Sequence, residues 1–104
     1  MPGESRTITF TNAEAIDALL EYCASTKRVL PAGGIKRLAF SNEAEVKVTV
    51  EFNASAPPIS FYQNEVAAAL ILYCNKIGIP VARRAIKSLQ VTQDSIALQL
   101  SMRT

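Results

Sequence analysis

Apolar residues along this chain follow two rhythms, strand-like alternation and helical stripes, and the two succeed one another in the same order twice. In Arg6 to Phe10, Ile8 and Phe10 alternate with polar neighbours, which predicts a short strand buried on one face. Ile16, Leu19, Leu20 and Cys23 then fall at i, i+3, i+4 and i+7, a helical stripe with Asp17 and Glu21 on the wet side. Thr11 and Glu14 stand at the spacing of a capping box that would open this helix. Lys27 and Arg28 follow where positive charge offsets the helix macrodipole, and Pro31, Gly33 and Gly34 end regular structure. Ile35 to Phe40 predicts a strand, Ser41 to Ala44 a polar turn, and Glu45 to Phe52 a strand with Val46, Val48, Val50 and Phe52 on one face. These last two strands form a hairpin.

The segment Asn53 to Pro58, small and proline-rich, reads as a linker, and beyond it the pattern restarts. Ile59 and Phe61 repeat Ile8 and Phe10 at a shift of 51, and Glu65 repeats Glu14. The run Glu65 to Cys74 repeats the first helix, with Tyr73 and Cys74 on Tyr22 and Cys23. Nine consecutive apolar residues follow Glu65, so this helix is apolar all round, expected to be buried on more than one side, and the hub of the fold. Gly78, Ile79 and Pro80 stop it after Lys76. Ile86, Lys87 and Leu89 repeat Ile35, Lys36 and Leu38; past the turn the shift becomes 50, placing Ile96, Leu98, Leu100 and Met102 on Val46, Val48, Val50 and Phe52.

The pattern therefore predicts an α+β fold made by tandem duplication of a βαββ unit, over residues 6–52 and 57–102 of a single domain spanning 1–104. The expected architecture is a mixed or antiparallel sheet of about six strands with two helices packed on one face. The wet face of the last strand carries Lys47, Thr49 and Glu51 in the first unit but Ala97, Gln99 and Ser101 in the second. The second set is less polar and so a candidate for being covered. One alternative concerns Val81 to Leu89, where Val81, Ala82, Ala85, Ile86 and Leu89 also fit a helical stripe. A helix there would give the second half the order of a winged DNA-binding module. The matching Gly33 and Gly34 of the first unit argue against it.

Composition narrows the functional classes. The 104 residues are 49% hydrophobic and 19% charged, which fits a folded domain and excludes disordered and low-complexity classes. The apolar run is too short to span a membrane, the first ten residues lack the pattern of a secretory signal, and a cytoplasmic location is expected. The chain has no histidine, which removes imidazole triads and dyads and the usual zinc spacings. Cys23 and Cys74 both fall in helical stripes, as small buried hydrophobes do. No catalytic residue, cofactor or metal is expected.

Two binding surfaces are legible. Where the first helix shows Asp17 and Glu21, the second shows Ala68 and Leu72, so a charged outer face in one unit is apolar in the other. Val66, Ala68, Leu72 and Tyr73 are therefore the candidate self-association patch, and a symmetric homodimer is the expected form. The second surface is basic: the net charge is +2, and eight of the eleven Lys and Arg residues flank the two helix-to-strand loops. These are Lys27, Arg28, Lys36 and Arg37 in the first unit and Lys76, Arg83, Arg84 and Lys87 in the second. Brought to one edge, they would bind phosphate or nucleic acid; as separate loops, they merely complement helix dipoles. The expected function is thus a non-enzymatic self-associating or protein-interaction module, with an anion-binding protein as the alternative.

One enzymatic alternative rests on Pro2. Removal of Met1 would expose a proline amine able to act as a base, and with the repeated small α+β unit this resembles the tautomerase superfamily. The resemblance implies proton transfer at Pro2 and extends to no other residue; Gly3, Glu4 and Ser5 intervene where that family runs directly into its strand.

Overall fold

The computed structural model describes residues 4–82, 85–92 and 95–102. The chain runs β1 (Glu4–Phe10), α1 (Asn12–Ser25), β2 (Ile35–Asn42), β3 (Val46–Phe52), β4 (Ile59–Tyr62), α2 (Gln63–Ile77), β5 (Ile86–Val91) and β6 (Ile96–Met102). The order βαββ thus occurs in each half. Val81 and Ala82 are not helical and β5 begins at Ile86, so the winged order is corrected: a strand occupies the place of its second helix.

The expected six-stranded sheet is corrected as well. Two antiparallel sheets form, ordered β1-β6-β5 and β2-β3-β4. Each joins the first strand of one half to the hairpin of the other. β1 runs unbroken along β6 from Glu4 opposite Met102 to Phe10 opposite Ile96, while β4 pairs with β3 from Lys47 opposite Tyr62 to Val50 opposite Ile59. β5 approaches β2 and β3 without pairing to either. Within its ladder to β3, β2 changes register between Ile35 and Arg37, the kind of irregularity that bends a strand.

The buried row of each sheet and the buried stripe of each helix belong to one core. Phe10, Phe61, Leu70, Ile96, Leu98, Val48, Val50 and Cys74 are its largest fully enclosed side chains. Alternation delivers this: β3 reads buried at Val46, Val48, Val50 and Phe52, and half-buried between them. Two aromatic contacts cross between halves in matching fashion. Phe10 meets Tyr73 edge-on at 6.1 Å between ring centroids, and Phe61 meets Tyr22 at 6.5 Å.

The helix ends also correspond, with instructive differences. α1 opens on the expected capping box: Glu14 N donates to Thr11 Oγ1 at 3.2 Å and Thr11 N to Glu14 Oε1 at 2.9 Å. α2 has no side-chain cap, and Glu65 turns instead to Arg28 at 3.2 Å, tying the end of α1 to the first turn of α2. Both helices close through a backbone bond spanning five residues, Arg28 N to Cys23 O and Ile79 N to Cys74 O, each 2.8 Å. The left-handed residue this requires is Gly78 at φ 84° in α2 but Lys27 at φ 57° in α1.

The molecule measures 54 × 28 × 19 Å with a radius of gyration of 14.3 Å, above the about 13 Å of a compact chain this long. A thickness of 19 Å accommodates one sheet layer under one helix layer about 10 Å across. The outer face of the sheets is left without a layer of its own among the described residues.

Candidate interaction surface

The outer faces of the two sheets differ in charge. Around β6, strand pairing sets three rows side by side: Ser5, Ser101 and Ile86; Thr7, Gln99 and Ser88; Thr9, Ala97 and Gln90. Their positions alternate with the buried Ile96, Leu98 and Leu100, so all nine lie on the face away from the helices. None is charged. A protein surface that is about a quarter to a third charged would place two or three charges among nine positions. Gln90 Nε2 donates to Gln99 Oε1 at 2.8 Å within this face, and Ile86 stands at its corner, 65% exposed. The corresponding face of the other sheet is an ordinary polar surface, with Arg37 on Glu51 at 2.6 Å, Lys47 beside Tyr62, and Thr49 Oγ1 3.3 Å from Ser60 Oγ.

The outer edges differ too. β1 ends its sheet with seven residues, Ser5, Thr7 and Thr9 all exposed. β4 ends the other with four, directly behind Pro57 and Pro58.

The expected patch on α2 is divided by the fold. Val66 is 2% exposed and belongs to the core, so it is corrected out of any surface; an all-apolar run leaves its inner face unmarked, and the sheets took Val66, Ala69 and Leu70. Ala68 is exposed, Leu72 half-buried, and Tyr73 half-buried against Phe10. The apolar exposure of the helix layer lies instead in a groove of about 420 Å³, lined by Leu20, Tyr73 and Ile77 and rimmed by Asp17, Glu21 and Lys76.

The basic residues do not assemble into one patch among the described residues. Arg28 pairs with Glu65 and lies over the Phe61 ring at 4.9 Å; Arg37 pairs with Glu51 on the outer face; Lys76 pairs with Glu21 across the helix groove, which holds the Lys76 ammonium above its usual pKa. Lys87 Nζ donates to Ala85 O at 3.0 Å, and Lys27 and Lys36 are exposed. Because α1 ends beside the start of α2, the two basic loops leave opposite ends of the helix pair: Asn53 Nδ2 holds the first at Gly33 O, 2.9 Å, while Arg6 Nη1 holds the second at Pro80 O, 3.0 Å. Arg83, Arg84 and Pro2 lie outside the described residues.

Cys23 and Cys74 are buried free thiols, pushed upward in pKa by desolvation. Among the described residues no three His, Cys, Asp or Glu side chains converge where an ion would fit, and no helix is long and apolar enough to cross a membrane. No family model matches the chain, nor does any curated protein or any solved structure.

The sequence singled out Ala97, Gln99 and Ser101 as a less polar set and a candidate for being covered, but not Ser5, Thr7, Thr9, Ile86, Ser88 and Gln90 beside them. The missing fact was which strands flank β6, and no local pattern carries it.

Proposed function

We propose that the protein is a non-enzymatic interaction module that associates with itself through the β1-β6-β5 sheet. The observation that carries this reading is the uncharged outer face of that sheet, set against the charged face of its counterpart. Depletion of charge is the compositional mark of a contact surface, and a self-association surface must meet its own copy without opposing like charges. The reading includes a duplicated origin for the two halves: the shift of 51 that relates their sequences also relates the Phe10–Tyr73 contact to Phe61–Tyr22, and Lys27 to Gly78.

Sedimentation equilibrium tests it. The wild type is expected to form a dimer at sub-millimolar concentration. Thr7→Lys, an exposed change on this sheet, should raise the dissociation constant at least tenfold; Leu72→Glu, in the helix layer, should not. A wild-type monomer across that range ends the reading.

A further inference from the structure

The open side of the β1-β6-β5 sheet has an edge as well as a face, and the edge says how a second copy would join. A strand at the end of a sheet presents a row of unsatisfied N–H and C=O groups, and folded proteins blunt such edges with proline, bulges, shortness or charge. The two outer edges here are treated differently. β4 is four residues long and follows Pro57-Pro58, so little of its edge can receive another strand. β1 is seven residues long, contains no proline, and runs against β6 without any register shift. Among the described residues no strand pairs with its other edge. Its one interior cation, Arg6, is drawn to the Pro80 carbonyl at 3.0 Å. The outward residues Thr7 and Thr9 are strong strand formers with no charge to repel a neighbour.

Resting on the self-association reading, we infer that β1 pairs antiparallel with β1 of a second copy across a two-fold axis, fusing two three-stranded sheets into one of six strands. The composition of β1 permits this pairing. With Thr7 on the axis, Thr7 faces Thr7, Ser5 faces Thr9, and Arg6 faces Ile8, so no like charges stand opposite one another. The seven-residue overlap supplies about six to eight ladder hydrogen bonds. Arg6 shares the inward side of the strand with half-buried Ile8, so its aliphatic stem covers the Ile8 of the second copy. The uncharged faces of the two copies then become one continuous surface. Ile86, on β5, stands two strands from the axis and takes no part in the joint.

Amide hydrogen exchange followed by NMR decides between edge pairing and face stacking. Successive N–H groups of a strand point to opposite edges, so in a monomer only the β1 amides directed at β6 are protected. Edge pairing predicts that the alternate β1 amides become protected at least tenfold as concentration rises through the dimerisation range. It also predicts that Ile86→Lys leaves the dissociation constant within twofold of wild type. Thr7→Cys, in a protein whose native thiols are buried, should form an intermolecular disulfide under mild oxidation that reductant reverses. A dimer that Ile86→Lys dissociates, with the alternate β1 amides still exchanging freely, overturns edge pairing and leaves self-association through the sheet standing. A wild-type monomer overturns both. Should Thr7→Cys perturb folding, the exchange pattern of the wild type carries the decision alone.

Discussion

Cys23 and Cys74 show how much one side chain's surroundings dictate its chemistry. The two thiols sit 3% and 0% exposed in the core, and desolvation raises the pKa of each; around Cys23 the Arg28 guanidinium works against this and Glu65 with it, and around Cys74 Arg6 works against it. The folded state therefore keeps protons that the unfolded state releases. The stabilisation is fully present below the pKa of an unfolded thiol and is lost as pH rises through the folded one. Lys76, held above its usual value by Glu21, acts in the same direction. Thermal stability should accordingly be level through neutral pH and fall in the alkaline range, by at most about 1.4 kcal/mol per pH unit for each titrating thiol. A Cys23→Ala, Cys74→Ala chain should start less stable and lose stability less steeply, and an aromatic disulfide reagent should reach the wild-type thiols only on denaturation. Rapid labelling of the native protein would contradict the burial.

At the level of elements, the two helices end on the same backbone device with different residues. A left-handed conformation costs a residue bearing a Cβ about 1–2 kcal/mol, and glycine escapes that cost while losing more entropy on folding. Lys27 at φ 57° bears it and Gly78 at φ 84° does not. Lys27→Gly is expected to stabilise the protein by up to about 1 kcal/mol and Gly78→Ala to destabilise it by about the same, both read from denaturant midpoints. Local devices of this kind were legible in the sequence: the Thr11–Glu14 box, the Gly78 stop, the alternation of Val46 to Phe52, and a turn expected over Ser41 to Ala44 that the structure moves to 43–45, β2 running on through Asn42. They are legible because each is settled by residues within a few positions of one another. The partner of β1 is not, since Phe10 meets Ile96 across nearly the whole chain. An alternating strand records which face is buried and nothing about its neighbour. The same gap hid the extent of the uncharged face: Ala97, Gln99 and Ser101 stood out singly, and the row they belong to is visible only with β1 and β5 beside them. Val66 was misplaced for a related reason, because nine apolar residues in succession hold no wet side from which to take bearings.

For the whole molecule, the exchange of first strands means that neither half possesses a complete sheet. Residues 1–55 carry one strand of one sheet and two of the other, and 56–104 carry the complement. Pairing β1 with β6 also closes the longest loop the chain offers, the kind of contact that slows folding. There is a further geometric consequence. Glu4 lies opposite Met102 just as Val50 and Ile59 face each other across residues 51–58, so a short bridge from 102 to 4 would make residues 4–102 a ring. In such a ring the two links between halves become interchangeable, and the position of the break becomes arbitrary. A chain rejoined by a short loop from 102 to 4 and opened between 53 and 58 should therefore recover the native far-ultraviolet spectrum and unfold cooperatively, with β3–β4 now the distant pair and β6–β1 the hairpin. A permutant that stays molten would show that the two crossings differ in more than sequence position.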